Sequence, residues 1–416
     1  MESGSFNVAV NVSIMTKQLM NSPQKLQHLG TIYRLIEQFD LISRIDLSKI
    51  SGLAPASITN FTRDLIDLKL VIERTTQTPI VRGRPAVGLA ISPFHWQSLC
   101  VVLSEREMTI FLCELNGKTV KSKAYPILPK QHPQLANLLI DNIRAFQEEF
   151  QHKIIQTFAL SVAIEGQLNR QQTGIERLGQ SVLDIELQET LSSAFNLPII
   201  LSEYFAAWVF AESSLGAAIS SDNVIFLQVD DVINMSVSIK GKMIQGSKQQ
   251  RMNIDRVCLP MLNPLAEIIS QDLLPEDAQQ LQHHVTYSAI YKLVNHLLPN
   301  ELEDNDQKIQ YLCELANEGN QQAIAILHYV ADGISYVLMN LVNIFSSDKI
   351  MINSSYLGAN AIFVEHLKQK LNENLLLDQH QVDIITGHYA QNNAVVASAM
   401  VKKYLYNGDL IGSLLK

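Results

Sequence analysis

The stretch LISRIDLSKISGLAPASITNFTRDLIDLKLVIERTTQTPIVRGRPAVGLAI, residues 41–91, decides how this chain is read. Ile42, Ile45, Leu47 and Ile50 are spaced as the buried side of a short helix. Gly52 stands where that helix must stop. Pro55 suits the first turn of a second helix, because its missing N–H has no partner to find there. The second helix presents Ser57, Thr59, Asn60 and Arg63 outward, while Ile58, Phe61, Leu65 and Ile66 turn inward. A helix with such an outer face suits a major groove, its N-terminal residues near base edges. Residues 70–74 and 87–91 read as two strands of a wing, with Arg82-Gly83-Arg84-Pro85 at its tip. Two guanidiniums on a tight Gly/Pro turn suit a minor groove, where negative potential concentrates. Ordinary bundles also show this helix spacing, and arginine-rich turns are often solvated loops. It is the two helices together with the basic wing that favour duplex DNA.

Outward from this head, the chain of 416 residues is too long for one core and predicts two or three domains. A hydrophobic content of 47% is ordinary for a globular chain. No run of about 18 apolar residues stands out, so no membrane-spanning helix is expected, and no secretory signal pattern opens the sequence. Cys100, Cys113, Cys258 and Cys313 stand far apart, which argues for reduced thiols in cytoplasm and against a cysteine-built metal site. Residues 1–91 hold ten Lys/Arg and seven Asp/Glu, a net of +3. The remainder holds 22 and 34, a net of −12, and the two sum to −9. A mildly basic head on an acidic body fits a head that meets phosphates, with dimerisation needed for useful affinity.

Three parts are expected. Residues 1–93 form an N-terminal arm and winged helix-turn-helix, 94–210 a first α/β lobe, and 211–416 a second lobe with dimerisation helices and a returning C-terminal helix. In the head, residues 29–39 read as a first helix with Ile32, Leu35, Ile36 and Phe39 on one face, and residues 20–23 as an interruption before it. From Leu99 the pattern turns to strands, through 99–115, an Asn116-Gly117 hairpin turn, and 119–128. A helix is expected over 133–151, a strand over 157–164, a helix over 183–195, a strand over 198–201 and a helix over 205–215. Strands at 223–229 and 232–239 flank an Asp230-Asp231 turn. Residues 262–344 read as mostly helical. A strand at 349–353, a helix at 359–371, a strand at 382–386 and a helix at 393–406 close the chain. Strands followed by crossover helices, in two halves, indicate an α/β body.

With these residues in place, the chain resembles the ROK family (repressor, ORF, kinase), and within it the sugar-responsive repressors. The resemblance is carried in the head by segments 42–49, 53–59 and 82–89, and continues at lower similarity through Val342-Asn343-Ile344-Phe345 to the last helix. It implies a winged-helix head on a two-lobed, actin-like ATPase body, as a homodimer or dimer of dimers. The body departs from the family where the chemistry sits. The family's phosphate-cradling Asp-x-Gly-Gly-Thr is Ser104-Glu105-Arg106-Glu107-Met108 here, and its Pro-Gly sugar turn is Glu165-Gly166. Its Asn-Asp pair, whose Asp is the general base, falls on Glu203-Tyr204, and tyrosine is far too weak a base at neutral pH. The second glycine-rich phosphate loop falls on residues 232–236, too bulky for backbone to approach phosphate. The sugar-binding Glu and zinc-binding His fall near Gln250 and Asn253. The three-cysteine zinc knuckle is reduced to Cys258, and the nucleotide Gly-Gly is Asn353-Ser354. These losses predict no kinase activity, no catalytic residue, no cofactor and no metal, and they set the family's sugar contacts aside.

Other candidates are weaker. Adjacent His283 and His284 point about 100° apart around a helix and suit surface or capping roles, as do His380 and His388. The acids Glu301, Glu303, Asp304 and Asp306 suit a solvated segment. Phe146 and Phe150 lie on the helix after the first hairpin, where the family's repressors resemble this chain in carrying aromatics near a surface for a sugar-transporter domain; burial of both rings in the body is the plainer reading. The sequence therefore points to a DNA-binding transcriptional regulator, a repressor of sugar uptake or metabolism genes, in the cytoplasm at the nucleoid. Pro55, Ala56, Ser57, Thr59, Asn60 and Arg63 would read bases, Arg44 and Lys49 would meet phosphates, and Arg82, Gly83, Arg84 and Pro85 would enter the minor groove. Glu203, Asn253, Phe146 and Phe150 are the candidate contacts for an altered ligand or a protein partner. The alternatives are a ROK sugar kinase with a vestigial head, and a protein scaffold that no longer binds DNA.

Overall fold

The head begins with the Ser22-Pro23 pair among the residues that the computed structural model describes, which are 22–75, 87–244, 252–260, 263–302, 305–373, 382–389 and 393–415. Ser22 Oγ accepts the Lys25 N–H at 3.3 Å and Pro23 fills the first turn of α1 (Pro23–Gln38). Of the expected interruption at 20–23, residues 20 and 21 lie outside the described residues, while Ser22 and Pro23 cap and open a helix that begins six residues earlier than periodicity alone places it. Ser43 caps α2 (Arg44–Ser51), which ends at Gly52 in the left-handed region, φ 70°. Then come α3 (Pro55–Asp67) and the antiparallel pair β1 (Val71–Thr75) and β2 (Val87–Ile91). Arg82, Gly83, Arg84 and Pro85 lie outside the described residues.

One expectation for the head fails. Leu47 and Ile42 are buried, but Ile45 is 69% and Ile50 50% exposed. Ile42 precedes α2 in a bridge to Leu89, and residues 45 and 47 stand about 200° apart around a helix, so the four never form one stripe. Phe39, just past the end of α1, is likewise exposed.

Beyond the head, the chain forms β3 (Gln97–Leu103), β4 (Glu107–Glu114), β5 (Thr119–Pro126), α4 (Leu135–Glu149), β6 (Thr157–Ile164), β7 (Gly166–Leu168), β8 (Gly174–Leu178), β9 (Ser181–Glu186), α5 (Gln188–Phe195), β10 (Ile199–Glu203) and α6 (Tyr204–Ser214). It continues with β11 (Val224–Val229), β12 (Ile233–Ile239), β13 (Lys242–Ile244), α7 (Leu265–Ser270), α8 (Gln282–Val285), α9 (Tyr287–Leu297), α10 (Asn305–Asn317), α11 (Gln321–Phe345), β14 (Lys349–Asn353), α12 (Asn360–Glu373), β15 (Asp383–Thr386), α13 (Ala394–Tyr406) and α14 (Asp409–Leu414). The two five-stranded sheets run β10-β6-β3-β4-β5 and β13-β12-β11-β14-β15. Numbered within each lobe, both read 3-2-1-4-5, with antiparallel 1–2 and 2–3 pairs and parallel 1–4 and 4–5 pairs. The chain divides into two compact units, one from residues within 1–207 and 391–416, the other within 208–390. The head and the C-terminal helices belong to the first.

In the first unit, strand alternation assigns the two faces of the sheet. Leu99, Val101 and Leu103 of β3, with Leu160, Val162 and Ile164 of β6, share a core with Leu139, Ile143 and Phe146 of α4. The alternate positions carry small groups (Cys100, Ala159, Ser161, Ala163), and α13 packs on β3 and β6. In the second unit α11 is a core helix. It is the one helix among the described residues long and apolar enough to cross a membrane, and half of its apolar window is buried. Two further expectations change. Residues 183–195 were read as one helix, but 181–186 pair as β9 in a three-stranded sheet with β7 and β8. The supposed loop at 232–236 is the start of β12, buried from Ile233 to Val237.

Candidate nucleic-acid interface

The inner side of α3 is fixed by Ile58, Thr62 and Leu65, all fully buried. That leaves Pro55, Ala56, Thr59, Asn60 and Arg63 exposed and Ser57 half-buried. Ala54 gives the start of α3 no side-chain cap hydrogen bond, which leaves its first-turn amides without that partner. Thr59 Oγ1 donates to Pro55 O at 2.9 Å. The turn before the helix is held by Gly52 N–H to Ser48 O at 3.1 Å and Ser48 Oγ to Leu53 O at 2.7 Å. The outward residues expected for base contact thus lie on one face of a braced helix.

The two phosphate candidates differ. Lys49 is largely exposed, with Asp46 at 3.7 Å. Arg44 instead works inside the head: its Nε donates to Thr62 Oγ1 at 2.9 Å and its Nη2 to Glu73 Oε1 at 2.7 Å. It ties α2 to α3 and β1, which spacing in the sequence does not reveal. An open depression of about 760 Å³ lies along this side, lined among others by Arg44, Thr59, Arg63, Lys69 and Glu73. Lys69 follows α3 with φ 58° and is an exposed cation that the sequence reading passed over. Among its lining residues two arginines and one lysine face a single carboxylate, an arrangement that attracts anions.

The head is anchored by contacts far apart in sequence. Lys25 pairs with Asp64 at 2.7 Å, and Trp96 Nε1 donates to Leu68 O at 2.7 Å. Glu37 of α1 takes Lys402 of α13 on one oxygen and the Tyr406 hydroxyl on the other, the latter at 2.8 Å. Lys402 is nearly inaccessible and Glu37 only slightly less so. Gly30 permits the approach, since a Cβ there would lie 2.3 Å from Tyr406 O.

The ligand and partner candidates of the body take structural places. Glu203 is half-buried and accepts the Leu168 N–H at 3.2 Å, joining β10 to β7. Tyr204 beside it is 2% exposed. Asn253 is exposed, and its Oδ1 accepts the Asp255 N–H at 3.1 Å; Gln250 lies outside the described residues. Phe146 is fully buried, which removes it as a surface contact. Phe150 is half-buried, 4.8 Å from Phe146, with Lys121 Nζ 5.7 Å from its ring centre. His284 is not a surface residue either: it is 2% exposed and bonded to Tyr329 and Ala278.

Where the expected phosphate and nucleotide loops fall, side chains are laced together. Glu105 Oε1 accepts Ser181 Oγ at 2.5 Å and its Oε2 the Gln180 N–H at 3.2 Å. In the second unit, Tyr287 Oη donates to Asp230 Oδ1 at 2.9 Å, accepts the Ser355 N–H, and lies 3.1 Å from Ser354 Oγ. Gln228 Nε2 reaches the other Asp230 oxygen at 2.6 Å. Burial pushes Asp230 up to about 6, the bonds from Tyr287 and Gln228 oppose the shift, and the Asp231 charge adds to it. Among the described residues no group of three His, Cys, Asp or Glu side chains could hold a metal ion.

Comparison with known proteins gives the fold its relatives. The ROK family model matches residues 99–252 and 267–404. The chain is 26% identical over 405 residues to the DNA-binding transcriptional repressor Mlc of Escherichia coli K12, covering 94% of this chain and 97% of that one. It is 25% identical to the dual regulator NagC of the same organism over 93% and 95% of the two chains. A crystal structure of a ROK family transcriptional regulator, a homolog of E. coli Mlc, superposes with a TM-score of 0.79 at 25% identity, covering 95% of this chain and all of the other. The ROK hexokinase of Thermus thermophilus shares the fold, with a TM-score of 0.58 at 17% identity over 74% of this chain and 98% of its own.

Proposed function

The chain belongs to the ROK family, and on that premise we propose that it is a DNA-binding transcriptional regulator, a repressor of sugar uptake or metabolism genes. The observation that carries this is the outward face of α3: Ala56, Thr59, Asn60 and Arg63 exposed on a helix braced behind and uncapped at its start. In this reading α1, α2, α3 and the β1–β2 pair form a winged helix-turn-helix. The α3 helix enters a major groove, and Arg82 and Arg84 reach the adjacent minor groove. Lys49, Arg63 and Lys69 are the cations closest to phosphate, while Arg44 holds the head in shape. Affinity comes from a homodimer or dimer of dimers placing two such helices one turn of duplex apart. The similarity to Mlc and NagC, along nearly the whole of each chain, supports the same conclusion.

The body serves as a sensing and pairing platform without phosphoryl transfer. Three features support this: the buried Tyr204 where the family's base would stand, the Glu105 carboxylate bonded to the Gln180 amide and the Ser181 hydroxyl, and the Tyr287–Asp230–Ser354 lacing. A carboxylate beside a phosphate position repels the anion that a kinase must hold. Control then passes to a protein partner or to a ligand unlike the family's sugars.

The kinase-like fold favours a second reading, a ROK sugar kinase that kept its head. Affinity selection of genomic fragments by the intact protein, followed by gel shift on the recovered sites, tests the first reading. Bound fragments with half-sites about 10 base pairs apart support it, and loss of binding in Arg63→Ala assigns the face. An ATP-consumption assay with hexoses and N-acylated amino sugars tests the second; turnover above background overturns the account of the body.

A further inference from the structure

The second unit contains a cavity of about 370 Å³ that neither the DNA reading nor the family's phosphate and sugar positions use. Tyr329, Gly333, Tyr336 and Met339 line it from one side of α11, facing Ala266 of α7 and His284 of α8. The surface it offers is mostly apolar, and its volume suits a small molecule. Two ion pairs stand at its edge, and both are already made. Asp332 Oδ1 accepts from His366 Nε2 at 2.8 Å, and Lys370 Nζ lies 3.8 Å from Glu373 Oε2. A charged ligand would have to break into those pairs or leave its own charge against apolar walls. A free sugar is a poor occupant too, because most of its hydroxyls would lose their water without gaining partners.

The uncharged polar groups decide what a neutral ligand must bring. His284 Nε2 lies 2.7 Å from the Ala278 carbonyl, which can only accept, so Nε2 carries the hydrogen. Burial favours the neutral ring and, against that bond, pulls His284 down from its ordinary value. The unprotonated Nδ1, 2.5 Å from Tyr329 Oη, must then accept the tyrosine proton. Tyr329 is left with an oxygen able only to accept. Ser335, the other buried hydroxyl of α11 that lines the cavity, gives its proton to Ala331 O at 2.5 Å. Both buried hydroxyls thus turn their hydrogens away and ask a ligand for one. The Met339 thioether and the Tyr336 ring favour a flat aromatic partner over an aliphatic one.

We infer that this cavity binds a neutral aromatic molecule carrying one hydrogen-bond donor, of the phenol or indole class. The ligand O–H or N–H donates to Tyr329 Oη, and its ring lies against Ala266, Tyr336 and Met339. The ion pairs of Asp332 and Lys370 stay as they are. The inference rests on the second unit alone and is independent of DNA binding.

Calorimetry of the full-length protein without DNA tests it, with p-cresol and indole as probes. At least one should bind saturably at millimolar concentration or below. The same frame with its donor methylated, 4-methylanisole or 1-methylindole, should bind at least about fivefold more weakly, because it covers the Tyr329 oxygen without giving it a hydrogen. Tyr329→Phe, which keeps the ring, should bring the two members of each pair to within about twofold of one another. With the methionine methyls labelled with carbon-13, the Met339 resonance, assigned through Met339→Leu, should move as the probe saturates. Binding by neither probe overturns the inference. So does equal affinity of the unaltered protein for a probe and its methylated partner, a preference that survives in a folded Tyr329→Phe protein, or saturation that leaves the Met339 resonance in place.

Discussion

Replacing Lys402 by Met strands the Glu37 carboxylate in a site from which its own side chain is 12% exposed and the lysine's only 5%. Breaking one side of such a pair costs about 3–5 kcal/mol, because a charge remains without its counter-ion. The Tyr406 hydroxyl still donates to Glu37 at 2.8 Å, which places the expected loss at the lower end, about 3 kcal/mol. Replacing both partners, Glu37→Leu with Lys402→Met, removes the stranded charge and should recover most of the loss. The sequence contains two tryptophans, and Trp96 bonds Leu68 in the head. With 5-fluorotryptophan incorporated, the fluorine resonance of Trp96 in a urea titration follows the head and its junction with the first lobe, and Trp208 in the second unit gives the reference signal. If Lys402→Met moves the Trp96 transition by less than about 1 kcal/mol, or the double variant is no more stable than the single, the pair does not hold α1 to α13.

Three further outcomes are expected. Gly30→Ala puts a methyl 2.3 Å from Tyr406 O, so α1 must shift away from α13, at about 1–3 kcal/mol read by the same resonance. Arg63→Ala should lower DNA affinity and reduce its salt slope by about one unit with the thermal midpoint unchanged, whereas Arg44→Ala, which loses the Thr62 and Glu73 bonds, should lower head stability by about 1 kcal/mol. The third outcome concerns Asp230, whose carboxyl is raised to about 6 from an ordinary value near 4, so the folded state holds its proton more tightly than the unfolded chain. Its stabilising share is full below about pH 4 and declines as pH rises through about 6. Urea melts of the second unit should show that decline, and Asp230→Asn should flatten it.

The strands were most legible where turn chemistry marked their ends. Asn116-Gly117 fixes the β4–β5 turn, with Gly117 at φ 86°, and the Asp230-Asp231 turn separates β11 from β12. The β7–β9 sheet was lost because residues 183–195 hold apolar groups at both two- and four-residue spacings, and only pairing with β8 decides for a strand over 181–186. The outward face of α3 followed from helical spacing. What braces it did not: Arg44 meets Glu73 29 residues away, and Glu37 meets Lys402 across 365. Such contacts are set by how elements distant in sequence pack within the first unit, and no local pattern encodes them. His284 misled for the same reason, since a histidine satisfied by a tyrosine and a carbonyl 45 and 6 residues away looks in sequence like any polar helix residue.

The clamp on α1 also sets a timetable for biogenesis. At a synthesis rate of about 5–20 residues per second, the 365 residues between Glu37 and Lys402 keep the ribosome occupied for roughly 20–70 s after the head has emerged. Throughout that interval α1 has no C-terminal helix to lean on, and the small-residue face of the β3–β6 pair lies bare. The helix that seats α1 is thus made long after it, so a nascent chain that has not yet reached α13 carries a head that is made but not mounted.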